Sequence, residues 1–323
     1  MKDTQKVKVA VAGLGHMGLE YHCRTLHKMP GFLLAAGFDI VPERLKLAQA
    51  EFGLQPFSNW HDFLASDEFQ LLFIACPSNL HAKLAIEAME AGKDVVVEKP
   101  MCMNLQEADA MLAAAERNGV ILSVFQNRRW DPEQLLARKV IEEGLLGEIY
   151  SLKIIYLRYS DLMLSFGAKE FRPGWRAERA FGGGLLYDFG AHYLDQLLQL
   201  VQREPEDVYG HLERRLWSKE VDDSFLAIIR FECGAIGQVE VSHTSHLPVT
   251  LLHIMGSKGT LSGNKLKTEA GGEEEERELE LPPRDWEAYY RNLHAVLTQG
   301  AELAVKPQEV RKVMQIMDAI RES

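Results

Sequence analysis

VKVAVAGLGHMG, residues 7–18, sets the architecture of this chain. Val7 to Ala12 is a short, apolar, β-branched run of the kind buried on both faces of a parallel sheet. Gly13, Gly15 and Gly18 follow at once in the spacing G-x-G-x-x-G, and a helical stretch continues to Met29, where Pro30-Gly31 stops it. Each glycine has a job in that position. Gly13 allows the tight turn, Gly15 lets a pyrophosphate approach the backbone, and Gly18 lets the helix pack close to the strand. Leu14, His16 and Met17 complete the loop, and the helix N-terminus faces the phosphates. The next strand, Phe32 to Asp39, ends on a carboxylate 21 positions after Gly18. An acid there accepts hydrogen bonds from both ribose hydroxyls and repels a 2′-phosphate, so NAD is favoured over NADP. Arg44 stands close enough to weaken that preference. A glycine turn that merely packed strand on helix would not need the acid in register.

The alternation continues through the first half of the chain. Pro42 to Phe52 reads as a helix, Leu71 to Ala75 as a strand, and Leu80 to Ala91 as a helix stopped by Gly92. Asp94 to Glu98 is a further strand. Asn104 with Glu107 forms a capping box for a helix ending near Gly119, and Val120 to Phe125 is the last strand. Strands alternating with helices give an α/β, doubly wound parallel sheet. We expect a dinucleotide-binding Rossmann domain over residues 1–125. The pattern changes after Gly147. Ile149 to Tyr159, Val208 to Trp217, Ser224 to Phe231, Gly234 to Ser242 and Thr250 to Met255 partly alternate apolar and polar residues, as antiparallel strands do. Leu185 to Leu200, Asp285 to Gln299 and Lys306 to Arg321 look helical. Residues 126–323 therefore read as an α+β domain for substrate binding and oligomerisation, with the boundary near Phe125 to Asp131. The acidic run Gly271 to Leu279 reads as a solvated loop or edge strand.

The 323 residues suit two domains. A formal net charge of −11 argues against a nucleic-acid partner. Cys23, Cys76, Cys102 and Cys233 form no C-x-x-C pair and read as buried, reduced thiols. No signal peptide precedes the first strand and no apolar run is long enough to span a bilayer, so no membrane partner is expected and the cytoplasm is the expected location.

Two segments carry chemistry. Glu98-Lys99-Pro100 follows the strand DVVVE, which puts Lys99 at the carboxyl end of a parallel strand, where open α/β sheets bind ligands. An ammonium there can stabilise alkoxide character, and Pro100 restricts Lys99. A strand-end lysine taken singly is an ordinary surface charge. The second segment is Gly182 to Asp195, in which Asp188 and His192 are spaced i,i+4 on one helix face. A carboxylate beside an imidazole can fix its tautomer and raise its pKa, as suits a general base. Asp195 lies three residues beyond His192 on the same side. A helix surface pair is the bland alternative. His243 and His246 make only an H-x-x-H, too little for a metal site.

Taken together, these residues resemble the Gfo/Idh/MocA family, the glucose–fructose oxidoreductase and inositol dehydrogenase group. The resemblance covers most of the chain: Ala12 to Gly18, Cys76-Pro77-Ser78-Asn79-Leu80-His81, Glu98-Lys99-Pro100, Gly184 to Asp195, and Gly256 to Leu261. It implies a Rossmann domain followed by a large, mostly antiparallel open sheet that commonly forms a homodimer or homotetramer interface. It implies that Lys99, Asp188 and His192 act at the substrate, and that Cys76, Pro77, Asn79, His81 and Glu98 border the cofactor. Phe125 to Asp131, Trp175-Arg176 and Leu186 to Asp188 resemble the branch containing NADP-dependent scyllo-inositol dehydrogenases. That branch implies Asn127 and Arg128 in the substrate pocket and Trp175 and Arg176 near the nicotinamide or its ribose. Of Arg128 and Arg129, at least one is expected only to form salt bridges. The chain departs from the branch at Asp39.

The expected activity is that of an NAD(P)-dependent dehydrogenase acting on a secondary alcohol of a sugar, cyclitol or sugar derivative. His192 would take the hydroxyl proton, Asp188 would orient His192, and Lys99 would steady the oxyanion. Two rivals share the fold: a glycosidase that uses NAD for transient oxidation and elimination, and a non-catalytic dinucleotide sensor. The intact Lys99, Asp188 and His192 argue against the sensor.

Overall fold

In the computed structural model, which describes residues 6–161, 174–270 and 273–323, the opening run forms strand β1 (Val7–Ala12), and Val9 to Ala12 are wholly buried. Around it lie β2 (Phe32–Phe38), β3 (Gln55–Phe57), β4 (Leu71–Ile74), β5 (Asp94–Val97) and β6 (Leu122–Val124). All pair in parallel in the order β3-β2-β1-β4-β5-β6. The order reverses between β1 and β4, and at that switch point the carboxyl ends of the strands leave a crevice.

The second sheet has eight strands: β7 (Ile149–Leu157), β8 (Pro205–Glu213), β9 (Ser224–Phe231), β10 (Ile236–Ser242), β11 (Leu252–Gly256), β12 (Gly259–Ser262), β13 (Lys265–Ala270) and β14 (Glu273–Glu278). Its pairs are antiparallel except β7 with β10. One face is buried under the helix Ala191–Val201, through residues such as Ala227, Ile229, Val239 and Val241. The acidic run is the exposed edge strand β14, and its Gly271-Gly272 lies outside the described residues.

Several elements go beyond the sequence reading, among them β3, β12, β13 and the helices Trp60–Leu64 and Pro132–Glu142. Strand β3 has three residues, too few for a period. Strand β13 sits in a run of alternating charge. The helix Pro132–Glu142 begins with Asp131-Pro132, a cap residue followed by proline at its first position. Cys23 and Cys102 are buried as expected, Cys76 is half-buried, but Cys233 is exposed. Its turn, Glu232 to Gly234, carries it off the sheet end. No helix among the described residues is long and apolar enough to cross a membrane. The helix Pro307–Glu322 returns to the first half, where Asp318 Oδ2 accepts the Leu105 N–H (2.8 Å) and Arg311 pairs with Asp109.

Candidate active site

A cleft of about 700 Å³ opens at the switch point between the two sheets. That is within the roughly 300–1,000 Å³ of small-molecule sites. Its floor begins with Gly13, Gly15, His16 and Met17. Gly13 has φ +87°, and a Cβ there would sit 2.8 Å from the Ala75 carbonyl, so only glycine permits the turn. Leu14 and Gly18 do not reach the cleft. Leu14 is buried, and Gly18 packs on the carbonyl of Gly13. The segment His16–Cys23 winds as a wide π-type helix before the α-helix Arg24–Lys28.

Asp39 caps β2 and is only 4% exposed. Its Oδ2 accepts the Leu14 N–H (2.7 Å) and its Oδ1 the Val41 N–H (2.8 Å), with Arg44 Nη1 3.5 Å from Oδ2. Oδ1 keeps a further lone pair. The carboxylate is thus fixed at this end of the cleft, and Arg44 lines the same wall. Ile40 and Trp60 border this end. The glycine loop and the buried acid together fit a dinucleotide.

At the far end the chain brings its chemistry together. Lys99 Nζ donates to Asp188 Oδ1 (2.5 Å) and to the Asp188 carbonyl (2.8 Å), across 89 residues. Burial opposes ionisation of Asp188, but Lys99 and Arg176 outweigh it and hold the carboxyl below its usual range. His192 lines the same cleft. The expected Asp188–His192 pair does not form. The ammonium takes the carboxylate because a charge-assisted bond outcompetes one to a neutral ring. His192 Nδ1 instead meets Gln126 Oε1 at 3.1 Å, and Gln126 Nε2 donates to the Ala191 carbonyl at 2.9 Å. Burial, then Lys99 and Arg128, push His192 well below the ordinary imidazole value rather than above it. Asp195 is not part of this group: it accepts a buried bidentate pair of hydrogen bonds from Arg129 (2.6 and 2.8 Å), and Arg129 also binds Glu309. Arg129 is the structural member of the arginine pair.

The site helix starts from Gly182 to Gly184. Gly184 has φ +104°, and a Cβ there would meet Asp222 Oδ1 at 2.2 Å. Asp222 Oδ2 accepts the Leu186 N–H at 2.8 Å. The chain then makes a π-type turn over Leu186–Gly190 and continues as the helix Ala191–Val201. Trp175 and Arg176 border the cleft, with the guanidinium 4.3 Å from the indole.

Behind the cleft, Glu98 is held by a buried chain. Tyr290 Oη lies 2.8 Å from His22 Nδ1, and His22 Nε2 lies 2.9 Å from Glu98 Oε1. Glu98 Oε2 accepts the Lys99 N–H at 3.1 Å. His81 sits between two carbonyls, Pro100 on Nδ1 (2.8 Å) and Cys76 on Nε2 (2.9 Å), and so ties the two loops together. Its pKa is lowered by burial, with the carbonyls pulling the other way.

Of the residues read from sequence, Cys76, Pro77, His81, Glu98 and Lys99 line the cleft, as do Asn127, Arg128, Asp188 and His192. Asn79 does not, and its neighbour Ser78 takes that place. Sequence reasoning missed Tyr21, Tyr156, Arg158 and Trp286 in the walls, and Gln126, His22 and Tyr290 behind them. The stretch Phe125 to Asp131 carried a signal for Gln126. The others have partners too distant in sequence to pair by spacing.

Comparison with known proteins gives the same picture. Residues 7–126 match the family described as "Oxidoreductase family, NAD-binding Rossmann fold", and residues 135–262 match the "GFO/IDH/MocA C-terminal domain". The chain is 26% identical to scyllo-inositol 2-dehydrogenase (NADP(+)) IolW of Bacillus subtilis, over 100% of this chain and 95% of that protein. It is 30% identical to levoglucosan dehydrogenase of Pseudarthrobacter phenanthrenivorans, over 75% of this chain and 69% of that one. Its fold is similar to that of the WlbA dehydrogenase from Bordetella pertussis, solved with NADH and UDP-GlcNAcA. The TM-score is 0.83 at 28% identity, covering 99% of this chain and 96% of that one.

Proposed function

This chain belongs to the Gfo/Idh/MocA oxidoreductase family, and from that premise we propose that it is an NAD-preferring dehydrogenase for a secondary alcohol on a sugar or cyclitol. The observation that carries the reading is the convergence of Lys99, Asp188 and His192 on one cleft whose other end is the glycine loop. The relatives' named substrates, scyllo-inositol and levoglucosan, support the substrate class. The fixed carboxylate of Asp39 supports NAD over NADP.

When bound, the nicotinamide ring supplies the hydride acceptor or donor. The chain supplies the proton chemistry. Gln126 Oε1 can only accept, so His192 carries its proton on Nδ1 and presents Nε2 as the base. A neutral imidazole is what a base needs, and burial keeps it neutral. Lys99, held by Asp188, places an ammonium where a developing alkoxide would lie. Asn127 and Arg128 would hold further hydroxyls, and Trp175-Arg176 would flank the ring. The open face of the second sheet would join copies into a homodimer or homotetramer. Four free thiols suit the cytoplasm.

The test is a screen of inositols, anhydrosugars and sugars with NAD and with NADP, read by absorbance of the reduced cofactor. Accumulation with NAD supports the reading. Glycoside cleavage without net reduction would replace it with the transient-oxidation glycosidase. Lys99→Ala should cost about 10²–10³ in kcat while NADH binding, followed by fluorescence, persists. Near-normal turnover would remove Lys99 from the mechanism.

A further inference from the structure

We propose that the reacting end of the cleft holds an oxyanion subsite built from Arg158, Arg128 and Tyr156, so that the alcohol turned over here also bears a carboxylate or a phosphate. The chemistry assigned to that alcohol rests on the dehydrogenase reading. The charge of the ligand is a separate claim.

Arg158 follows the last residue of β7. Its backbone is fixed on both sides: its N–H donates to the Ser242 carbonyl (2.9 Å) and its carbonyl accepts from Ser245 (3.2 Å). Its guanidinium lies 4.9 Å from the Tyr156 ring and borders the cleft. Among the described residues Arg158 makes no ion pair. Arg128 reaches the same region from the other wall, over the rings of Phe189 (5.7 Å) and Tyr193 (6.0 Å). Its one carboxylate contact is a long one, 3.3 Å to Asp131. Asp131 already accepts Trp286 Nε1 at 2.8 Å and Arg284 Nε at 3.2 Å. Most of the five donors on Arg128 are therefore unspent. Tyr156, beneath the Arg158 guanidinium, stacks on Phe189 at 4.9 Å, the same ring that Arg128 lies over. Burial pushes its phenol up while Arg158 and Arg128 pull it down, so both charges act on that hydroxyl.

The charge balance points the same way. Among the described residues, the cleft walls carry Arg44, Lys99, Arg128, Arg158 and Arg176 against Asp39, Glu98 and Asp188, in a chain of net charge −11. The pyrophosphate of a dinucleotide belongs at the glycine loop, where Gly13 and Gly15 line the cleft. Asp188 is already committed to Lys99. A neutral polyol would leave two guanidiniums facing one space. An oxyanion would receive planar, charge-assisted bonds from both.

The test uses the NADH-loaded protein and calorimetry with matched trios: glucose, glucuronate and glucose 6-phosphate, then the galactose and mannose counterparts. In at least one trio an anionic member should bind about tenfold or more tightly than its neutral parent. The uronate and phosphate arms tell which oxyanion fits. R158Q should collapse the anionic-to-neutral ratio toward one, and R158K, which keeps the charge, should restore part of it. Arg158 is exposed, so both variants should fold. If no acid or phosphate outbinds its parent, or if R158Q weakens acid and parent equally, the subsite is overturned. Selective anion binding without cofactor turnover on any compound would leave the subsite standing and sink the dehydrogenase reading instead.

Discussion

His192 is the side chain whose environment says most. Its pKa is pushed below 6.5 by burial and by two neighbouring cations. A base with a lowered pKa stays deprotonated as pH falls, and is lost only below that lowered value. The oxidative kcat/KM should therefore stay flat through about pH 6.5 and show its acid limb lower down. A limb at or above 6.5 in the pH–rate profile would contradict this. Asp39 makes a second prediction. Asp39→Asn keeps an acceptor for the Leu14 N–H but removes the charge, so the NADP-to-NAD ratio of kcat/KM should rise by about tenfold. An unchanged ratio would show that Asp39 only braces the loop. Lys99, Asp188 and Asp39 could be read from sequence because each sits at a fixed offset within a short motif. The partner of His192 could not. Gln126 is 66 residues away, and a glutamine beside a strand end has no pattern of its own. Nor could spacing show that Asp188 would prefer an ammonium from 89 residues away to its helical neighbour.

Among the elements, the glycine turn before the site helix rests on a buried acid. Burial, with Asp223 adjacent, raises Asp222 to about 6, while the Leu186 N–H pulls it back. A carboxyl whose folded pKa lies above its unfolded value binds its proton more tightly when folded. Its contribution is thus present at low pH and is lost as pH rises from about 4 through 6. Asp222→Asn should raise thermal stability relative to wild type at pH 7 and not at pH 4, by on the order of 2 kcal/mol. Equal melting differences at both pH values would refute the assignment. The parallel sheet was readable, β3 apart, because β1, β2, β4 and β5 are short, largely apolar runs close to a glycine or a cap. Ser224–Phe231 was placed to the residue, since Asp222-Asp223 and the turn Glu232-Cys233-Gly234 bound it. The π-type turns over His16–Cys23 and Leu186–Gly190 were not readable, because one extra residue per turn leaves a hydrophobic pattern almost unchanged.

For the molecule as a whole, the outer face of the second sheet presents a row formed by Tyr209, Ile228, Gln238, Lys153 and His253 across five strands. Tyr209 is 55% and Ile228 38% exposed, more apolar surface than a lone sheet face tends to offer water. Ile228→Asp should shift the protein to monomer in light scattering. Wild type already at the monomer mass would remove the interface. That face could be read from alternation, but the proposal that a second copy covers it comes only from the family resemblance. The helix Pro307–Glu322 was expected as a helix, yet its packing place was invisible, because Asp318 and Leu105 are 213 residues apart. That return path limits how the protein can be recombined. A chimera that takes its nucleotide-holding half from a relative has to import this last helix as well. Otherwise Leu105 loses its cap and Asp109 its guanidinium, and the graft carries mismatched seams far from any junction in the gene.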